Sequence, residues 1–381
     1  MNKKIKLSNL YLLDNNDNLQ KMEILIEGSK IAAIDSSIIL QYDELIDCNG
    51  GIATAGFIDV HIQGAGGFDI LDASEEAMIT MSKALAKLGT TSFLPTTVAK
   101  PDTNNVHIKI ANRLVDLKLN GANILGYHLE GPFINPLKKG GLSLSSIYES
   151  SEDKLSEILD VCEGNLKMMT IAPEMKGNLK IINSLRENNV IASFAHSAAD
   201  YIQFFEGFNA GINHVTHLFN AMNPIQHRVP GPIVAIFEKK VPSQIISDGH
   251  HLDGRIINFA SKNLGVENCV CITDGVQAMG LPEGNYLFNG REYVSKDGAA
   301  KYLDGTLIGS TTPLGKMAKL FRKYTNCKMY EALSTVSSAP AKVLGIDSKK
   351  GFLKVGFDAD IIIIDKDFNV NFTFVGGKLI D

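Results

Sequence analysis

Between Gly56 and Gly345, short apolar runs of β type alternate with helix-like stretches, and no other feature of the chain restricts its fold as strongly. FIDVHI, TTSFLPT, NILGYHLEG, KMMTIAPE, VIASFAH, INHVTHLFN, SQIISDG and NCVCITDG make eight candidate strands. Strands that alternate with helices pair in parallel through helical crossovers. Eight such units favour an α/β fold closed into a (β/α)8 TIM-type barrel over an open, doubly wound sheet. The segment from Ser74 to Leu88 shows the helical pattern: Ser74 suits the N-cap, Glu75 and Glu76 suit the positive end of the helix dipole, and Gly89 suits the stop.

Four of the runs end on a residue able to bind a metal or move a proton: Glu130, His196, His217 and Asp274. A parallel barrel carries its active site at the C-terminal ends of its strands, so these scattered residues are expected to meet. A carboxylate and two imidazoles suit a divalent cation, and Asp274 is placed to take a proton from metal-bound water, whose pKa zinc lowers to about 7. The competing readings are a loop-capping role for Glu130 and a turn-forming role for Asp274 beside Gly275. Burying a carboxylate without a partner costs several kcal/mol, which favours the metal. His61, on the same strand face as Asp59 and Gln63, is a candidate ligand for a second metal position. His128 and His214 are expected to line the barrel or to support the site.

Both chain ends are rich in strand patterns, KLSNLYLLD, MEILIEG and KIAAI at the start and DADIIIID and NFTFVGGKLI at the end, and are expected to share a sheet. The 381 residues suffice for a barrel of about 250 residues plus a smaller domain. The net charge of -5 is spread along the length, which argues against nucleic acid and for a small-molecule partner. The five cysteines lack a CxxC pair and read as reduced core residues. The amino-terminal lysines are not followed by the apolar stretch of a signal peptide, and no run approaches the roughly 20 residues of a membrane span, so a cytoplasmic protein is expected.

In the order DVHIQGAGGFD, YHLEGPFINPLKKG, FAHS, HVTHLFNAM, HRVPG, DGHHLD, ITDGVQAMGLPEG and DGTLIGST, the sequence resembles the N-acetylglucosamine-6-phosphate deacetylases of the amidohydrolase superfamily over nearly its whole length. The resemblance implies a metal-dependent (β/α)8 barrel over residues 56–345, and a small β-sandwich built from residues 1–55 and 346–381. It further implies a homodimer that hydrolyses the acetamide of the sugar phosphate to acetate and glucosamine 6-phosphate. By the same resemblance Glu130, His196 and His217 hold the principal metal and Asp274 is the acid/base. Gly141, Asn220, Ala221, Arg228, His251, Leu307, Ile308 and Gly309 fall where the family contacts substrate. Arg228 and His251 could give the phosphate charge-assisted hydrogen bonds, from the neighbouring subunit in a dimer.

The chain departs from the family twice. Superfamily members with two metals carry His-x-His after the first strand, whereas His61 is followed by Gln63, so one zinc ion per chain is expected rather than two. The family also shows a histidine just after its KG segment, and here Lys138-Lys139-Gly140-Gly141 runs into Leu142. His227 or His250 is a candidate replacement. Leu142 also admits another N-acetyl-hexosamine phosphate, such as N-acetylgalactosamine 6-phosphate, as substrate. A cyclic-amide hydrolase would need a lysine at the fourth strand, which ends Ala172-Pro173-Glu174 instead. The presence of all four principal site residues argues against a catalytically inactive sugar-phosphate-binding barrel.

Overall fold

The computed structural model describes residues 2–288 and 290–380. Eight strands, Phe57–Ile62, Thr90–Thr97, Tyr127–Glu130, Leu166–Ile171, Ile191–Phe194, Ile212–Val215, Ser243–Ile245 and Cys269–Cys271, pair side by side in chain order. Every pairing between them is parallel. The sheet curls until its edges approach: Ile62 bridges Gly275 in parallel, and the Asp274 N–H donates to the His61 carbonyl oxygen at 3.0 Å. The result is a mixed α/β fold around a curled parallel sheet. The first two strands are buried along their whole length, as expected of strands covered on both faces.

The helix after the first strand runs Glu75–Lys87 and starts as its sequence requires, with Ser74 Oγ accepting the Ala77 N–H at 3.0 Å. Met78, Met81 and Leu85 recur at helical spacing and bury against the sheet. Gly89 then turns the chain into the second strand with φ +87°, a backbone conformation that costs glycine little.

The chain ends do share a sheet. Lys4–Leu13, Leu19–Glu27, Lys30–Asp35, Glu44–Ala55, Ile361–Ile364, Val370–Val375 and Lys378–Leu379 form one seven-stranded sheet. Glu44–Ala55 joins the two termini, parallel to Lys4–Leu13 and antiparallel to Ile361–Ile364, so an unbroken run of pairing links the two ends of the chain. Leu7, Leu10, Ile24, Ile361, Ile363 and Phe374 give this sheet an apolar core separate from the larger one.

One element lay outside the sequence reading. After the eighth strand, Gly284–Phe288, Arg291–Lys296, Ala299–Tyr302 and Leu307–Ser310 form a four-stranded antiparallel sheet. Asp297-Gly298 and Asp304-Gly305, dipeptides that favour tight hairpin turns, connect its last three strands. Among the described residues no helix is long and apolar enough to cross a membrane.

Candidate metal centre and active site

The strand ladders stop short of the apolar runs, and the chain turns sharply where they stop. His196, His217 and Asp274 all lie just past a strand end with positive φ, at +47°, +30° and +47°. Residues other than glycine rarely adopt this conformation, which costs about 1–3 kcal/mol each, and it gathers where a site demands it. Here it aims three side chains at one point above the barrel.

Glu130, the last residue of the third strand, meets them there. Its Oε1 lies 2.9 Å from His196 Nε2 and 3.0 Å from His217 Nε2, and the two Nε2 atoms are 3.0 Å apart. All three residues are buried. His196 Nδ1 sits 2.7 Å from the Lys138 carbonyl oxygen, which can only accept, so Nδ1 carries a proton. Neutral His196 therefore turns a bare Nε2 toward a carboxylate and a second imidazole. Burial works against charge on His196, yet hydrogen bonding to Glu130 raises its pKa. Burial would raise Glu130, but its two imidazole partners hold it well below the usual carboxylate range. The His217 pKa is lowered by burial. Converging lone pairs call for a positive charge between them, and two imidazoles with a carboxylate are a donor set that zinc and its neighbours accept. The residues fit a divalent cation.

His61 extends the cluster. Gln244 Oε1 accepts the His217 backbone N–H at 3.2 Å, which identifies it as the amide oxygen, and it lies 3.0 Å from His61 Nδ1. Nδ1 must therefore donate, leaving His61 Nε2 bare, 3.3 Å from Asp274 Oδ1 and 3.8 Å from Glu130 Oε1. Gln63 Nε2 donates to Asp274 Oδ1 at 3.3 Å. On the other side His251 Nε2 lies 3.5 Å from Asp274 Oδ2, while His251 Nδ1 is 2.7 Å from Asp248 Oδ2. Burial alone would depress His251, but its hydrogen bonds to Asp248 and Asp274 lift its pKa to about 9. Burial likewise opposes ionisation of Asp274, and the His251 hydrogen bond and neighbouring imidazoles outweigh it, leaving its pKa lowered.

Below the cluster the barrel interior is polar. The His128 ring meets that of His61 edge-on, centroids 4.8 Å apart. His128 Nδ1 lies 3.2 Å from the Val60 carbonyl oxygen and Nε2 lies 2.8 Å from Thr170 Oγ1. From Thr170 the chain continues to Thr216 Oγ1 at 2.9 Å and on to Ser193 Oγ at 2.6 Å. His214 is also buried in the interior. Both histidines thus take the lining role expected of them.

A cavity of about 890 Å³ opens over the cluster. Gly141, Asn220, Ala221, His251, Leu307 and Ile308 line it together with Glu130, His196, His217 and Asp274. Gly309 sits just behind: at φ +147°, a Cβ there would come within 2.6 Å of the Asp274 carbonyl oxygen. Leu142 lines the cavity, half-buried. His251 therefore belongs to its own chain's site, correcting the expectation that it serves a neighbour. Arg228 and His227 are exposed and outside the cavity wall. His250 is also exposed, its Nε2 3.1 Å from the Asp297 carbonyl oxygen, and neither histidine lines the cavity to supply the donor that Leu142 lacks. Glu174 is engaged by Asn135, Ser197 and the Ala198 N–H.

Sequence reasoning missed Gln244, Asp248, Phe288 and Tyr302. A glutamine inside the apolar run SQIIS was the available signal for the first, because a buried amide needs partners. Phe288 and Tyr302 reach the cavity from the unforeseen antiparallel sheet.

The sequence matches the family model described as Amidohydrolase family over residues 52–380. It is 35% identical over 334 residues to the N-acetylglucosamine-6-phosphate deacetylase of Bacillus subtilis (strain 168), covering 85% of this chain and 83% of that protein. It is 30% identical over 363 residues to the N-acetylgalactosamine-6-phosphate deacetylase of Escherichia coli O157:H7, covering 95% of each. The crystal structure of N-acetylglucosamine-6-phosphate deacetylase from Pasteurella multocida superposes with a TM-score of 0.91 at 29% identity, covering 99% of both chains. The curled parallel sheet, the Glu130, His196 and His217 cluster and these matches agree: the chain belongs to the amidohydrolase family.

Proposed function

We propose that the protein hydrolyses the acetamide of N-acetylglucosamine 6-phosphate to glucosamine 6-phosphate and acetate. The observation that carries this reading is the convergence of Glu130, His196 and His217 beside Asp274, in a chain 35% identical to a relative named for that reaction. Glu130, His196 and His217 would hold one divalent cation, zinc in this reading. His61 is the candidate ligand for a second cation, but Gln63 is occupied with Asp274, which favours a single one.

A cation at this point supplies Lewis acidity, polarising the amide carbonyl and lowering the pKa of water toward about 7. Asp274 takes a proton from the attacking water and delivers it to the amide nitrogen as the C–N bond breaks, ending the cycle ionised as it began. His251, charged and 3.5 Å from Asp274 Oδ2, keeps that carboxylate ready to accept. Gly141, Asn220, Ala221, His251, Leu307, Ile308 and Gly309 contact the sugar phosphate. Arg228, exposed, is suited to a phosphate held by the other subunit of a homodimer, since its guanidinium presents a fixed fork of donors.

The proposal includes a β-sandwich domain from residues 1–55 and 346–381 beside a closed catalytic barrel over 56–345. It places the protein in the cytoplasm, where a reducing environment suits its free cysteines, four of them buried. Leu142 supports a second reading, deacetylation of N-acetylgalactosamine 6-phosphate, the substrate class for which the Escherichia coli O157:H7 relative is named.

Acetate release from a panel of phosphorylated and unphosphorylated N-acetyl sugars, with elemental analysis of the same preparation, tests the reading. Turnover of N-acetylglucosamine 6-phosphate with about one divalent cation per chain is expected. No turnover of any sugar phosphate overturns the function, and two cations per chain overturn the single-cation version.

A further inference from the structure

Two groups of residues line the cavity, each bounding one side of it, here its two lobes, and the substrate contacts proposed above lie mainly in one. Its volume of about 890 Å³ is near the top of the range of roughly 300–1,000 Å³ for small-molecule sites. Asn220, Ala221, His251, Tyr302 and Ile308 follow the sixth, seventh and eighth strands and form one wall. Leu71, Thr97, Val98, Lys100, Lys139 and Leu142 come from the ends of, or the loops after, the first three strands and form the other. In a curled sheet of eight strands paired in chain order, the second strand stands opposite the sixth, so the walls face each other across the Glu130, His196 and His217 cluster. The nitrogen and the acyl carbon of an amide diverge from its carbonyl carbon. With the sugar in the first lobe, as the proposed function has it, the acyl group points into the second.

We propose that this second lobe is an acyl subsite for amino-sugar phosphates whose N-acyl group is longer than acetyl and ends in a carboxylate, N-succinyl being the type case. Leu71, Val98 and Leu142 supply apolar surface of the kind methylene groups need, Leu142 standing where the resembled family shows a histidine. Lys100 and Lys139 stand in the same wall and form no ion pair among the described residues. The Lys139 ammonium reaches only the Gly140 and Leu142 carbonyl oxygens, at 3.3 and 3.1 Å.

Two carboxylates also line the lobe, and neither blocks an anion. Asp69 Oδ1 is committed to the Leu71 N–H at 2.6 Å, and burial pushes the Asp69 pKa up to about 7, which weakens its negative charge. Asp102 is exposed at the outer edge. The reaction is the same hydrolysis: water adds to the acyl carbon, the C–N bond breaks, and the products are the amino-sugar phosphate and a dicarboxylate.

The test measures kcat/KM of the metal-loaded protein for N-acetyl-, N-butanoyl- and N-succinylglucosamine 6-phosphate. Butanoyl matches succinyl in length but lacks the charge. The wild type is expected to prefer succinyl over butanoyl by about tenfold or more, and Lys100→Met and Lys139→Met are each expected to erase most of that preference. Hydrolysis of the N-acetyl substrate without any preference for succinyl overturns the acyl subsite and leaves the deacetylase reading standing. A preference that survives in both variants also overturns it. If the variants instead impair phosphorylated N-acetylglucosamine far more than its unphosphorylated counterpart, the lysines bind the phosphate and the proposal is wrong. No turnover of any of these sugar phosphates removes both readings together.

Discussion

Gln244 sets the tautomer of His61: its side-chain oxygen, already accepting the His217 backbone N–H, forces the proton onto His61 Nδ1 and bares Nε2 toward the metal cluster. A fully buried glutamine on the seventh strand thus orients one imidazole and anchors the backbone of a second histidine. Gln244→Leu is expected to lower metal affinity about 10–100-fold, the usual cost of losing a partner that orients a ligand. Metal content after dialysis against graded chelator checks it, and unchanged retention would show that His61 and His217 are held by packing alone.

Asp274→Asn keeps the shape of the side chain but removes the proton acceptor. Activity should fall by about 10² to 10⁴ while metal content stays near the wild-type value. Steady-state acetate release alongside elemental analysis separates loss of catalysis from loss of the cation.

Arg228→Ala should weaken use of the phosphorylated substrate far more than that of its unphosphorylated counterpart, by a differential of about 1.5–3 kcal/mol. Arg228 is exposed and outside its own chain's cavity, so the effect requires assembly. Equal losses on both sugars would place Arg228 outside phosphate recognition.

His251 gives stability a pH dependence of known sign. Its folded pKa of about 9 lies above the ordinary histidine value, so the contribution is fully present below about 6.5 and is lost as pH rises through about 9. Thermal melts of wild type and His251→Asn should converge as pH climbs across that window. Parallel melting curves at all pH values would show that the imidazolium contributes nothing.

Leu142→His restores the polar group that the resembled family carries. If the native leucine costs a hydrogen bond to developing oxyanion charge, worth about 2.7–4 kcal/mol, kcat/KM for N-acetylglucosamine 6-phosphate should rise in the variant. A slower variant would mean that this cavity is already built for leucine.

The principal site was legible because Glu130, His196, His217 and Asp274 each interrupt an apolar run, and a parallel arrangement of those runs brings their ends to one face. The helix from Glu75 to Lys87 was legible for a local reason, its cap and its buried spacing. Gln244 was harder to see because its partners, His61 and His217, are far from it in sequence and their directions are settled only by folding. The sheet spanning Gly284 to Ser310 was missed because its strands are short and partly polar, and it follows a stretch that reads as loop. His251 was misplaced for a different reason: its neighbours Asp248 and Asp274 come together only when the seventh and eighth strands do.

The hydroxyl chain beneath the site runs one way only. The Val60 carbonyl can accept but never donate, so His128 must spend its Nδ1 proton there and take the Thr170 hydroxyl proton at Nε2. Thr216 must then donate to Thr170, and Ser193 to Thr216. Burial holds the His128 pKa well below the ordinary value, so the ring does not reset the chain by gaining a charge. Every hydrogen points toward an atom that has nowhere to pass one on. These groups therefore carry no proton up to the site, and under the proposed mechanism Asp274 exchanges its proton through the cavity above.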